Sequence, residues 1–105
     1  MNKSAKIISD LTNSSIVNLP GRKYPGLVIQ GDSLSNIHSG LMTILEDTET
    51  KVEKETFLNI LEQAEVIENH LLNYEKTLKD HSIDLPYFRD ENRTTKNFQK
   101  YWDEN

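Results

Sequence analysis

Between Phe57 and Leu78, apolar or aromatic residues recur in an unbroken alternation of threes and fours: Phe57, Ile60, Ala64, Ile67, Leu71, Tyr74 and Leu78. That spacing keeps successive side chains on one edge of a helix and offers the edge to another helix over three heptads. It predicts a helix over about 52–80, roughly 42 Å long at 1.5 Å per residue. Leu58, Leu61, Val66 and Leu72 widen the apolar surface beyond a bare seam. A second stripe of Leu34, Ile37, Leu41, Met42, Ile44 and Leu45 predicts a shorter helix over about 33–47, with His38 and Ser39 off the stripe. This helix covers only about half of the long one. The rest must meet other parts of the chain or a second copy, so a homodimer is one expectation.

Upstream, Ser14–Leu19 and Gly26–Gln30 are short runs rich in β-branched and aliphatic residues. Pro20-Gly21 and Pro25-Gly26 punctuate the loop between them. Pro presets φ and Gly accepts positive φ, so the pattern predicts a β-hairpin over 14–31. Such a hairpin is marginal alone and needs an apolar support. Asp32 or Ser33 can cap the first helix. After His81, Pro86 ends helical hydrogen bonding, and Thr94 or Thr95 can cap a short last helix carrying Phe98, Tyr101 and Trp102. The expected fold class is therefore α+β: an N-terminal hairpin packed on an antiparallel helix pair, with a short C-terminal helix. We expect a single domain over 1–105, divided into a 1–13 segment, the 14–31 hairpin, a 33–81 helical hairpin and an 82–105 tail. Five of the eight aromatic residues lie in that tail, which predicts an aromatic clamp on the core rather than a free end.

Leu, Ile, Val and Phe supply 28 of 105 residues, enough for a thin core and above the range typical of disorder. There is no cysteine, hence no disulfide framework, thiolate metal site or thiol nucleophile. Polar residues interrupt every apolar stretch before signal-peptide or membrane-spanning length. The expectation is a cytoplasmic protein with no membrane association. Its composition suggests a bacterial source.

Charge is unevenly distributed. Residues 1–33 carry +2, residues 34–85 carry −7, and the remainder balances, for a net −5. An acidic middle repels nucleic acid backbones, whose binding needs Lys and Arg to displace counterions, and it favours a basic protein partner. Glu55, Glu62, Glu65, Glu68 and Glu75 are the only charged residues from 55 to 75. Their i, i+3 pairs set like charges side by side, a cost of a few tenths of a kcal/mol each (roughly 0.2–0.5). A solvated stripe or a basic partner would relieve it. Glu62, Glu65 and Glu68 are the partner-binding candidates, with Arg22 and Lys23 in the hairpin loop as a second contact.

The motifs exclude more than they assign. Gly31-Asp32-Ser33-Leu34 resembles the block that names the GDSL esterases and lipases, but no Asp-x-x-His block follows and the chain is short for that family's layered domain. His38, His70 and His81 lack metal-ligand spacing and are read as surface residues. No phosphate-binding glycine loop is present, and Gly31 is taken as a turn glycine. No catalytic residue, metal or cofactor is assigned, and a non-enzymatic role is expected.

Leu19 to Leu34, Leu-Pro-Gly-Arg-Lys-Tyr-Pro-Gly-Leu-Val-Ile-Gln-Gly-Asp-Ser-Leu, resembles the signature of a small uncharacterised bacterial family, close to L-P-G-R-x-x-P-G-x-x-x-Q-G-D-S/T-L. The resemblance implies a hairpin running into a helix, with Arg22, Gln30, Asp32 and Ser33 as its polar residues, and it brings no activity. In size and acidity the chain is also similar in style to bacterial immunity proteins. The leading expectation is a non-catalytic protein-binding module of that kind, whose acidic helix covers a basic toxin domain. The alternatives are an anion-binding domain or small enzyme using the Gln30–Ser33 turn at a helix N-terminus, and a structural homo-oligomer.

Overall fold

The computed structural model describes residues 4–11 and 13–103, so residues 1–3, 12, 104 and 105 of the expected terminal segments lie outside the described residues. The chain divides into two compact units at the Gln30–Gly31 bond. The α+β class holds: an antiparallel sheet, two long helices and a short C-terminal helix.

The first unit is a meander of three strands, β1 (Lys6–Ser9), β2 (Ile16–Asn18) and β3 (Gly26–Leu27), in the order β1-β2-β3. The expected hairpin is thus its second half. The N-terminal segment supplies an unforeseen strand, paired Lys6 to Asn18 and Ile7 to Val17 before an irregularity at Ser9. Pro20-Gly21 forms the turn it predicts: Arg22 N–H donates to the Leu19 carbonyl at 3.1 Å, and Gly21 takes a φ of 78°, as position i+2 of a type II turn requires. The second strand is shorter than expected, ending at Leu27 instead of Gln30. Val28 N–H still donates to the Ser15 carbonyl at 2.9 Å. No described residue of this unit is buried.

The second unit is helical. Helix α1 spans Gly31–Thr48 and α2 spans Lys54–Asp80. Gly31 lies against Tyr74, and His38 lies against Glu68, so the two helices run antiparallel. Their buried lines differ from the expected stripes. In α1 the line is Gly31, Leu34, His38, Met42 and Leu45, while Ile37 and Ile44 are exposed. In α2 it is Phe57, Leu61, Ala64, Glu68 and Leu71, so the seam passes through Leu61 and Glu68 rather than Ile60 and Ile67. Period and direction are as predicted. The facing surface is rotated by one residue at alternate steps, because two polar residues stand on the seam.

Helix α2 ends six residues before Pro86. Ser82 adopts a left-handed φ of 57°, Ile83 N–H donates to the Leu78 carbonyl at 2.8 Å, and Ser82 N–H donates to that of Lys79 at 3.1 Å. This is a Schellman stop with serine in the position glycine usually takes. The chain then turns back as a strap over 87–103. Tyr87 and Arg89 meet Glu75, Thr94 and Thr95 meet Glu68, and Phe98 and Tyr101 stack on Phe57 with ring centroids 5.6 and 4.9 Å away. Thr94 caps a 3-10 turn over Thr95–Phe98, accepting from Lys96 N–H, and α3 (Lys100–Asp103) follows. The aromatic clamp is therefore present, with Phe98 buried in the core among Met42, Leu45, Phe57, Leu61 and Ala64. Phe88 is the exception, at 90% exposure. Among the described residues no helix is long and apolar enough to cross a membrane.

Gly31 is more than a turn residue. A Cβ there would overlap the outer ring atoms and hydroxyl of Tyr74, so any larger residue requires that ring to move from its place between α1 and α2. Gly31→Ala is expected to destabilise the fold by about 1–3 kcal/mol, the usual cost of overpacking. Adding Tyr74→Ala should make the pair of changes cost less than their sum in chemical denaturation. Simple additivity would show that the close approach does not exist.

Candidate functional site

The polar centre of the helical unit is the Glu68 carboxylate, only 3% exposed. It accepts from His38 Nε2–H at 2.8 Å and Thr95 N–H at 3.1 Å through Oε1, and from the Thr94 and Thr95 hydroxyls at 3.1 and 2.5 Å through Oε2. Burial raises its pKa, as it does for any carboxylate taken from water. The bonds from His38, Thr95 and Thr94 outweigh that and bring it down to about 2. No buried side-chain nitrogen or oxygen among the described residues lacks a partner.

The expected acidic face is corrected here. Glu68 is not an exposed contact but the internal tie between α1, α2 and the strap. Glu65 is half-buried and accepts from the Trp102 indole N–H. Glu75 accepts from the Tyr87 hydroxyl at 2.8 Å and from Arg89 Nε–H at 3.2 Å; burial and that carboxylate push the Tyr87 phenol well above its usual range. The like charges along α2 are thus relieved by the chain's own C-terminal segment. Of the three candidate glutamates, Glu62 alone is exposed with no hydrogen bond or ion pair among the described residues.

His38 is likewise corrected from a surface residue to a buried one, while His70 and His81 are exposed as expected. His38 lines one wall of a depression of about 280 Å³ with Ser35, Ser39, Phe88, Arg89, Asp90 and Arg93. Its cations are already engaged. Arg93 holds Glu46 at 2.9 Å, Ser39 and Thr43, and that carboxylate raises the guanidinium's pKa. No group of three or more His, Cys, Asp or Glu among the described residues could hold a metal ion.

The polar signature residues, and the loop candidate Lys23, lie apart from this centre in the chain. Arg22, Lys23 and Gln30 are exposed members of the first unit. Lys23 Nζ sits 5.3 Å from the centre of the Tyr24 ring. Asp32 and Ser33 fall in the first turn of α1, which begins at Gly31. The Asp32 carboxylate accepts from Ser33 N–H at 2.8 Å, placing a negative charge where an anionic ligand would sit.

Sequence reasoning missed His38, Glu68, Thr94 and Thr95 as a connected set. The available signal was positional: His38 lies four residues from both Leu34 and Met42, and Glu68 seven from Leu61, so each fills a core position with a polar side chain.

Glu55, Leu58, Asn59, Glu62, Lys54 and Trp102 line a surface depression of about 490 Å³ on α2. Trp102 and Leu58 are bordered there by Lys54, Asn59 and the carboxylates of Glu55 and Glu62, and tryptophan is among the side chains that most often anchor protein contacts.

The chain belongs to a family of unknown function, DUF6959, whose model matches residues 1–87. No curated protein and no solved structure matches it. The match includes His38 and Glu68, whereas Thr94, Thr95 and Phe98 lie beyond its end.

Because the folded pKa of Glu68 lies below the unfolded value of 4.5, its contribution is complete above that pH and is lost as pH falls towards 2. The shift corresponds to about 3 kcal/mol. Denaturation between pH 6 and 2 should show this loss in the wild-type chain and a much flatter profile in Glu68→Gln, which is less stable at neutral pH. Parallel profiles for the two would refute the buried carboxylate.

Proposed function

We propose that this chain is a non-catalytic protein-binding module acting in the bacterial cytoplasm, with neither nucleic acid nor membrane as its target. In its specific form it is an immunity protein that neutralises a toxin by covering a basic domain. The observation that carries this reading is the depression around Leu58 and Trp102, where Glu55 and Glu62 remain exposed after the strap has taken up Glu65, Glu68 and Glu75. Apolar anchors at the centre of an interface supply affinity, while surrounding charges steer the encounter and select partners of opposite sign. The engaged cations beside His38 and the Asp32 charge at the start of α1 favour this reading over the anion-binding one.

The test is co-expression with each product of the genes flanking its own. A toxin among them should be relieved by the wild-type chain, with association that weakens as salt rises. The double reversal Glu55→Lys and Glu62→Lys should weaken binding by at least about tenfold, or roughly 1.4 kcal/mol, and abolish protection. A charge-reversed chain that still protected would overturn the acidic-patch mechanism.

A further inference from the structure

The first unit carries Ile7, Ile8, Leu11, Leu19, Tyr24, Leu27, Val28 and Ile29, all at least 37% exposed. Strand β3 is an edge of its sheet. The Val28 N–H bond to Ser15 makes that pair the hydrogen-bonded kind, and Ile16 faces Leu27 in the next register position. Hydrogen-bonded and non-hydrogen-bonded pairs alternate along an antiparallel ladder. The backbone N–H and C=O of Leu27 therefore point away from β2, towards the open edge.

Natural sheets blunt such edges with charge, proline, bulges or brevity. Here β3 is two residues long and follows Pro25, while the irregularity lies on β1, at the opposite edge, so the pairing open to a partner centres on Leu27. Beside β3 stand Arg22 and Lys23, which form no ion pair among the described residues. Leu19, Arg22, Tyr24 and Gly26 together line a small pocket of about 190 Å³ at the start of the strand. An open strand edge, an exposed apolar run and two unneutralised cations ending in an aromatic pocket form one contiguous stretch of chain. Residues 1–33 are also the chain's net positive portion.

We infer that the β3 edge binds an extended, acidic and apolar segment of another protein by strand addition. The segment's backbone pairs with that of Leu27, its apolar side chains cover the exposed aliphatic run, and its carboxylates meet Arg22 and Lys23. Backbone pairing supplies affinity in this mode and the side-chain contacts supply selectivity. The surface is of opposite sign to the acidic patch on α2 and does not depend on it.

The full chain can be titrated with three fluorescent ten-residue peptides: alternating Val and Glu, alternating Val and Lys, and the Val–Glu peptide N-methylated at every residue. The Val–Glu peptide should bind and shift the Leu27 amide resonance. The Val–Lys peptide should bind at least about tenfold more weakly, and N-methylation, which removes backbone donors, should abolish binding. Arg22→Glu with Lys23→Glu should reverse the preference, while Glu55→Lys with Glu62→Lys should leave it unchanged. Equal binding of the two charged peptides, binding that survives N-methylation, or absence of binding would overturn the proposal. So would sedimentation showing that the edge is buried by a second copy of the chain.

Discussion

A carboxylate held in a helix core must be supplied with hydrogen bonds from every side, and in this protein the arrangement of the helical unit follows from meeting that demand for Glu68. One donor comes from α1, through His38, and the others come from the strap, through Thr94 and Thr95. None comes from α2 itself. A buried charge whose partners are removed costs about 3–5 kcal/mol, so each element that reaches Glu68 is fixed in register by it. Leucines in the same place would pack the helices but would accept a slip along the groove. A carboxylate needs donors at particular points.

The same logic extends along α2. Glutamates three residues apart repel one another, and on a bare helix they would favour solvent or a cationic visitor. Glu75, Glu68 and Glu65 instead form successive landing points for Tyr87 and Arg89, Thr94 and Thr95, and Trp102. Between them Phe98 supplies the apolar anchor. Acidic repetition that resembles an external binding face is thus largely internal wiring, and Glu55 and Glu62 are the glutamates of α2 that stay exposed.

Much of this fold was legible in the sequence, for identifiable reasons. Helix α2 was visible because apolar residues alternating by threes and fours over so long a stretch fit neither the two-residue period of a strand nor the irregularity of a loop. The type II turn at Pro20-Gly21 was visible because proline and glycine between them meet both of its dihedral demands. The Thr94 cap and the docked aromatics followed from equally local chemistry. The exact seam did not. Period finding discards charged residues and so leaves Glu68 and His38 facing outward, although their spacing from Leu61 and from Leu34 places them inside. Strand β1 was missed because four residues beginning with lysine show no alternation until paired. The candidate partner residues divided on the same ground: Glu62, Arg22 and Lys23 are exposed, whereas Glu68 needed the distant Thr94 and Thr95 to bring it into the core, and no local pattern announces a contact 27 residues away in sequence.

That separation bears on the order in which the chain can be completed. A protein made from its N-terminus finishes α1 and α2 before the threonines exist, so during synthesis Glu68 has at most the His38 donor and must keep water for the rest. Only when residues 94–98 have been made can the carboxylate give up its hydration and Phe98 close over Phe57. A chain ending near Pro86 would therefore lack the donors that Thr94 and Thr95 give Glu68 and the ring that Phe98 sets against Phe57.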